Sequence, residues 1–171
     1  MCVSDEEDGF ATVGTMLEIH NVEVLPDGKC IVHAVGGRRF KVLEKSTRDG
    51  YNVAKVEWLV DENCNGNGRE VLNHEVYKLM TAWFSSLPSQ QQGCIVDALG
   101  EMPSREQQSE SNGLKWLWWL LAAMHLNIEA KLITLSMTSV TERLRSAKRF
   151  LDLLLIRQLG DGKPHALEQN V

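Results

Sequence analysis

The segment from residue 14 to residue 59 constrains the fold more than any other part of the chain. It contains three runs of alternating apolar and polar residues, separated by Pro26-Asp27-Gly28, Gly36-Gly37 and Arg48-Asp49-Gly50. Alternation with a period of two is typical of strands with one buried face, and Pro, Asp and Gly favour tight turns between strands. The sequence therefore predicts antiparallel strands joined by short turns, with Gly36-Gly37 forming the second turn.

The remainder of the chain has the spacing of helices. A turn-rich break at residues 61–68 (DENCNGNG) precedes apolar residues that recur every three or four positions. Helices are predicted at residues 72–87, 89–99, 114–126 and 139–160, and Ser139 with Glu142 has the pattern of a capping box at the start of the last one. Residues 101–113 read as a mobile loop. We expect a β subdomain at residues 1–60, a helical bundle at residues 69–159 and a disordered tail at residues 160–171.

Composition excludes several classes of protein. The net charge of −5 over 171 residues argues against a general nucleic-acid binder. The four cysteines, at positions 2, 30, 64 and 94, form no C-x-x-C pair, which favours free thiols in a reducing compartment. The first ten residues are acidic rather than basic and then apolar, and the longest apolar run is about half of what a bilayer requires. We therefore expect a protein of the cytoplasm or nucleus with no membrane partner.

Catalytic and metal-binding patterns are not found in the sequence. His74-Glu75 begins an H-E-x-x-H zinc motif, but Lys78 stands where the second histidine ligand is required. The five histidines share no ligand spacing, and neither a phosphate-binding loop nor a G-x-S-x-G motif is present. The sequence predicts no catalytic residue, no metal ligand and no cofactor in this chain.

Two groups of residues are candidates for binding, each with a structural alternative. Trp116, Trp118 and Trp119 either anchor a protein–protein contact or fill the core, and Trp118 is the one expected nearest the surface. Arg38 and Arg39 belong to a set of cations that either forms an RNA-binding strip or is a solvated strand face. Phe40, which alternates with the charged positions, is predicted to lie in the core. The other cations of the set are Lys41, Lys45, Arg48 and Lys55.

The order of these pieces resembles one known family. The strand region reads G-T-M-L-x-I, then V-x-x-L-P-D-G, V-G-G-R-R-F-x-V-L and D-G-Y, and Tyr51-Asn52-Val53-Ala54 follows. It is similar to the Lon protease N-terminal, substrate-recognition domain in the version carried by RING-finger proteins. Met102-Pro103, the tryptophan-rich run at residues 116–121 and the run at residues 135–144 extend the resemblance over about residues 1–157. Residues 1–5 align with an internal strand, so the chain resembles a domain that lacks its usual opening strand and helix.

The resemblance implies an α+β fold, with an incomplete PUA-like antiparallel β-barrel followed by a helical bundle. It also implies a non-catalytic module that recognises protein substrates, among them misfolded or apolar segments, for a RING-type E3 ubiquitin ligase. Zinc and the contacts with ubiquitin and its E2 carrier would then belong to a RING outside this chain. Substrate-binding residues would include Trp116, Trp118, Trp119, Arg38 and Arg39. A PUA-like RNA-binding module and a truncated isoform without function of its own are the alternatives.

Overall fold

A computed structural model describes residues 10–62, 67–109 and 111–161 of the chain. Three long strands come first: β1 (Val13–Val24), β2 (Cys30–Arg48) and β3 (Tyr51–Trp58). They form an antiparallel sheet in the order β1-β2-β3. Helices follow, so the α+β class predicted from the sequence is confirmed. Within the described residues, the sheet is open and does not close into a barrel.

Five helices and a short ladder complete the described chain. The helices are α1 (Asn67–Ser86), α2 (Ser89–Leu99), α3 (Lys115–Ala123), α4 (Ile128–Ser136) and α5 (Val140–Asp161). The predicted bounds of α2 are confirmed, and Gly100 after it has a φ of 78°, a conformation that suits glycine at a helix end. Between α2 and α3, β4 (Gln108–Ser109) pairs with β5 (Gly113–Leu114). The region predicted as a mobile loop therefore contains regular structure.

The prediction of a turn at Gly36-Gly37 is wrong, because β2 runs through both glycines as one strand of 19 residues. The pairing of β1 with β2 shifts there, from Leu17 opposite Gly36 to Thr15 opposite Arg39, as expected for a β-bulge. A Cβ atom on Gly37 would lie 2.6 Å from the Glu18 carboxylate. The glycine therefore permits a close cross-strand approach, a need that the sequence does not distinguish from that of a turn.

The two other predicted turns are present. The β1–β2 turn at residues 25–29 is closed by hydrogen bonds from Leu25 N–H to the Lys29 carbonyl (2.8 Å) and from Gly28 N–H to the Leu25 carbonyl (3.0 Å). In the β2–β3 turn, Asp49 and Gly50 have φ values of 51° and 83°. Positive φ at both central residues defines the type I′ turn, whose twist matches that of a hairpin.

Contacts divide the described residues into two compact units. The first comprises residues within Met1–Asn63, Gln108–Leu114 and Leu126–Val140, and the second residues within Cys64–Gln107, Lys115–His125 and Thr141–Val171. The segments at 108–114 and 126–140, expected among the helices, thus belong with the sheet. Of the disordered tail predicted at residues 160–171, the first two residues belong to α5, and residues 162–171 lie outside the described residues.

Each unit has its own buried residues. In the first unit, Phe40 and Val42 of β2 are buried with Val13, Leu114 and Val140. In the second unit, α1 and α5 bury the faces that their periodicity predicts. These buried residues are Val76, Met80 and Trp83 of α1 and Leu144, Ala147 and Leu151 of α5. α3 is buried along most of its length, as expected of a helix that is apolar on all sides.

Helix α4 was not predicted. Asn127 caps it, because its side-chain oxygen accepts a hydrogen bond of 2.8 Å from the Ala130 N–H. This asparagine was the available signal in the sequence. The boundary between α3 and α4 is hard to see in the sequence, because the apolar run before Asn127 has the pattern of one helix through Leu126. In the structure, α3 ends at Ala123.

Candidate functional site

The β1–β2 hairpin has one face made only of apolar residues and glycine. Side chains of opposed residues share a face, and side chains alternate between faces along a strand. From Cys30 to Gly36, β2 is regular, and its even-numbered positions lie opposite Leu17, Ile19, Val22 and Val24 of β1. One extra β1 residue between Ile19 and Asn21 keeps the apolar residues of β1 in phase. The apolar hairpin face consists of Leu17, Ile19, Val22, Val24, Cys30, Val32, Ala34 and Gly36.

The opposite face of the same hairpin is mixed. It contains Glu18, Asn21 and Glu23 from β1, opposed by Val35, His33 and Ile31 from β2. Neither Glu18 nor Glu23 forms an ion pair with the residues that the structure describes. The hairpin is therefore amphipathic, as a strand pair would be if its apolar side lay against a partner.

The apolar hairpin face is exposed. Its large side chains (Leu17, Ile19, Val22, Val24 and Val32) are between 39% and 68% accessible to solvent. Single exposed apolar residues are common on protein surfaces, but adjoining ones mark interaction surfaces. The sequence predicted apolar alternation along both strands but not which residues share a face, since Val32 lies on this face and its neighbour Ile31 on the other. The expectation that an alternating strand buries its apolar side does not hold here.

The three adjacent tryptophans of α3 differ in exposure. Trp116 is fully buried and lies edge-on to Tyr77, with ring centroids 5.3 Å apart. Trp119 is buried against Phe84, and its indole N–H donates to the Gly100 carbonyl at 3.0 Å. Trp118 is half-buried, with the guanidinium of Arg143 4.2 Å from its ring centroid. Trp118 is thus the member of the predicted group nearest the surface, as the sequence indicated.

Arg39, one of the predicted binding residues, lies in the interior of the first unit with 2% of its surface accessible. Its guanidinium donates to the Leu135 carbonyl at 2.9 Å, the Met137 carbonyl at 2.7 Å and the Asn112 side chain at 3.0 Å. It also forms an ion pair with Asp61. Asn112 in turn donates to the Gly37 carbonyl at 3.0 Å. Arg39 therefore joins β2 to the chain segments around it and does not face solvent.

Three other cations of the predicted strip each contact a different neighbour. Arg38 is exposed and its guanidinium lies 4.3 Å from the Trp58 ring centroid, where it forms a cation–π contact. Lys45 donates to the Phe10 carbonyl at 2.8 Å. Lys55 lies 3.3 Å from the Glu44 carboxylate. Phe40 is buried edge-on to Trp58, as predicted for a core residue. The predicted strip therefore loses Arg39 and the aromatic ring of Phe40 to the interior, and both are features that would support RNA binding.

His74 and Glu75, which begin the incomplete zinc motif, each form a polar contact with a cationic side chain. His74 Nδ1 lies 2.8 Å from the Arg105 guanidinium, and Glu75 pairs with Lys148 at 2.5 Å. Over the described ranges, no group of three or more His, Cys, Asp or Glu side chains is arranged to hold a metal ion. In the same part of the chain, no helix combines the length and the apolar character needed to cross a membrane. Cys30 and Cys94 are exposed free thiols.

Comparison with known proteins assigns this fold to a family. The family model of the ATP-dependent protease La (LON) substrate-binding domain matches residues 3–152. The chain belongs to the Lon substrate-binding domain family. Membership makes this domain a substrate-recognition module.

Solved structures of Lon N-terminal domains share the fold of this Lon substrate-binding domain. The N-terminal domain of a Mycobacterium avium complex Lon protease matches with a TM-score of 0.60 at 20% identity, over 86% of this chain and 74% of that one. A Lon N-terminal domain protein from Xanthomonas campestris matches with a TM-score of 0.52 at 19% identity, over 91% of this chain and 72% of that one.

Proposed function

We propose that this domain binds non-native polypeptide on the apolar hairpin face and carries out no bond chemistry itself. The observation that carries the proposal is the exposure of an uncharged hairpin face whose reverse side is mixed and acidic. Folded proteins bury most of their apolar side chains, so a surface of this kind distinguishes unfolded from folded substrates. The family assignment is consistent with this role.

Binding to a model protein in unfolded and folded forms tests the proposal. A reduced and carboxymethylated lactalbumin, which cannot refold, is compared with the native protein by fluorescence anisotropy. We expect binding of the unfolded form that exceeds binding of the native form by at least tenfold. Equal affinity for both forms would remove the proposal.

Substitution of Val22 and Val32 locates the binding surface. These residues oppose one another at the centre of the apolar hairpin face, and burial of a valine side chain contributes roughly 1.5 kcal/mol. Val22→Ser plus Val32→Ser is therefore expected to weaken binding of the unfolded protein at least tenfold. Val71→Ser plus Leu153→Ser, which alters two exposed apolar residues of α1 and α5, is the matched control.

The binding residues predicted from the sequence are tested in the same assay. Trp118→Ala and Arg38→Ala change the accessible members of that set, whereas Trp116, Trp119 and Arg39 are buried. We expect both variants to bind the unfolded protein within about threefold of the unmodified domain. Loss of binding in Trp118→Ala with retention in the valine pair would move the site to α3.

We further propose that the module serves a RING-type E3 ubiquitin ligase in the cytoplasm or nucleus. The resemblance of Met102-Pro103 and the tryptophan-rich run of α3 to RING-linked members supports this assignment. In such a ligase, the zinc-binding RING recruits the ubiquitin-charged E2, and this domain presents the protein to be modified. Sequencing the complete transcript tests the assignment, since a ligase requires closely spaced cysteine and histidine codons for a RING. A complete reading frame without them would reject it.

A further inference from the structure

The two edges of the β1–β2 hairpin differ in how they are protected. Exposed edges of sheets expose unpaired backbone groups, and proteins guard them with charges, bulges or covering segments. The β1 edge carries Glu18 and Glu23 and is interrupted by the extra residue near His20. The β2 edge from Cys30 to Gly36 is regular and contains no Asp, Glu, Lys or Arg.

Other described residues hydrogen-bond to the outer edge of β2 from Gly37 onward, but not before it. The Arg39 carbonyl accepts a hydrogen bond of 2.9 Å from the Leu59 N–H, and the Gly37 carbonyl accepts one of 3.0 Å from the Asn112 side chain. Before Gly37, no strand among the described residues pairs with β2 on the side opposite to β1. Seven residues, about 23 Å of strand at the usual rise, are thus left unpaired on this side by the strands that the structure describes.

The outward backbone groups of this edge can be assigned from the hairpin. The hydrogen bond from Leu25 N–H to the Lys29 carbonyl at the turn fixes the phase of the ladder. Because hydrogen-bonded and non-hydrogen-bonded pairs alternate along an antiparallel ladder, Cys30, Val32, Ala34 and Gly36 direct their N–H and C=O groups away from β1. The outward Arg39 carbonyl agrees with this phase, after the one-residue shift at the bulge.

We infer that the β2 edge from Cys30 to Gly36, designated the open β2 edge, binds substrates by strand addition. The occupant is an extended, uncharged apolar segment of the client polypeptide. Its backbone would pair with the outward groups, and its side chains would extend the apolar hairpin face on one side and adjoin Ile31, His33 and Val35 on the other. This inference rests on the proposed function and specifies the substrate class.

Charge selects this class of segment. A strand added at the open β2 edge meets apolar neighbours on one face and Ile31, His33 and Val35 on the other. A charged residue in it would lose part of its hydration and would find no Asp, Glu, Lys or Arg among the adjoining residues of β2. Continuous uncharged runs are typical of strands that are buried on both faces in folded proteins. Such segments become accessible only when the client protein unfolds.

A matched pair of substitutions at Ala34 tests strand addition. Ala34→Pro removes the outward N–H and is compatible with an edge position, whereas Ala34→Val has a side chain of similar size and keeps the N–H. The probe is a fluorescent peptide with a seven-residue uncharged run of Val, Ile and Thr. We expect at least tenfold weaker binding to Ala34→Pro and binding within about threefold for Ala34→Val. Equal binding to the two variants would overturn the inference.

A second measurement remains valid if Ala34→Pro fails to fold. The same peptide is methylated on alternate backbone nitrogens, which blocks strand pairing and leaves the side chains unchanged. We expect the methylated peptide to bind the unmodified domain at least tenfold more weakly than its parent. Equal affinity would overturn strand addition, while loss of both peptides and of unfolded lactalbumin would instead reject the proposed function.

The competing occupant is the same edge of a second copy. Two open β2 edges paired antiparallel would form a symmetric dimer, which analytical ultracentrifugation detects. A dimer that Ala34→Pro dissociates, together with no binding of the parent peptide, would overturn the inference. A monomer that binds the parent peptide with one-to-one stoichiometry supports it.

Discussion

The guanidinium of Arg39 and the carboxylate of Asp61 form an ion pair inside the first unit, with 2% and 6% of their side-chain surfaces accessible. Arg39 lies in β2 and Asp61 follows β3, and the same guanidinium donates to two carbonyls at residues 135 and 137. A planar group with several fixed donors is suited to such a site. The pair therefore connects the sheet with the segment that contains α4.

Replacement of Arg39 is expected to destabilise the domain severely. Arg39→Ala leaves Asp61 as a buried charge without its partner, and removal of one member of a buried pair costs about 3–5 kcal/mol. Urea unfolding followed by circular dichroism measures the loss. Arg38→Ala removes a neighbouring arginine that is exposed and stacked on Trp58, so it is expected to cost less than about 1 kcal/mol.

The conservative variant Arg39→Lys refines this prediction. Lysine keeps the charge but cannot hold the carboxylate, the amide and both carbonyls with one planar group. We expect a stability between those of the unmodified domain and Arg39→Ala. Unchanged stability in Arg39→Lys would show that charge alone accounts for the contribution of Arg39.

Two glycines are expected to respond to alanine with opposite signs. Gly50 has a φ of 83° in the β2–β3 turn, so Gly50→Ala places a side chain in left-handed backbone at a cost of about 1 kcal/mol. Gly93 lies within α2, where an added Cβ meets no atom within 4 Å. Gly93→Ala should raise stability by about 0.5–1 kcal/mol, because alanine favours the helix. Thermal unfolding of both variants checks the prediction, and a shift of the same sign in the two would contradict it.

Asp27 in the β1–β2 turn should contribute to the loss of folding stability at acidic pH. The Lys29 side chain, followed by the Lys29 backbone N–H, lowers the pKa of the Asp27 carboxyl. A carboxyl with a lowered folded-state pKa stabilises the fold above its unfolded pKa, and this contribution is lost as pH falls through the folded pKa. Titration by NMR should give a midpoint below that of free aspartate.

Lys29→Ala provides the control for Asp27. It removes the ammonium group and keeps the backbone N–H, so the midpoint of Asp27 should rise but remain below that of free aspartate. An unchanged midpoint would show that the ammonium group does not lower the pKa.

The sequence correctly predicted the elements whose apolar residues recur with strong periodicity. Its predictions were wrong where the role of a residue depends on contacts with distant parts of the chain. The buried faces of α1 and α5 and the bounds of α2 follow from spacing and from Pro88 and Gly100. Gly36-Gly37 was misread because glycine serves both turns and bulges, and only the position of Glu18 across the strands distinguishes them. The role of Arg39 depends on carbonyls almost a hundred residues away, which local patterns do not encode.

The candidate surface was only partly predictable from the sequence. Alternation separates the two faces of β2 from Cys30 to Gly36, but in β1 an extra residue between Ile19 and Asn21 brings Leu17 and Val22 onto the same face, and the sequence does not reveal this bulge. The alternating pattern is also typical of a strand pair that is buried against a core. Exposure depends on which segments pack on the hairpin, a property of the whole fold. Among the proposed binding residues, the sequence correctly placed two near the surface: Arg38, and Trp118 on a helix with more apolar sides than a small bundle can cover.

Methyl NMR of the domain with unfolded lactalbumin tests the central claim most directly. Methyl groups of Val22, Val24 and Val32 report on the apolar hairpin face, and those of Leu117 and Leu121 report on α3. The account predicts concentration-dependent shifts in the three valines, with the α3 methyl groups unchanged. Shifts confined to α3, with the three valines unaffected, would contradict it.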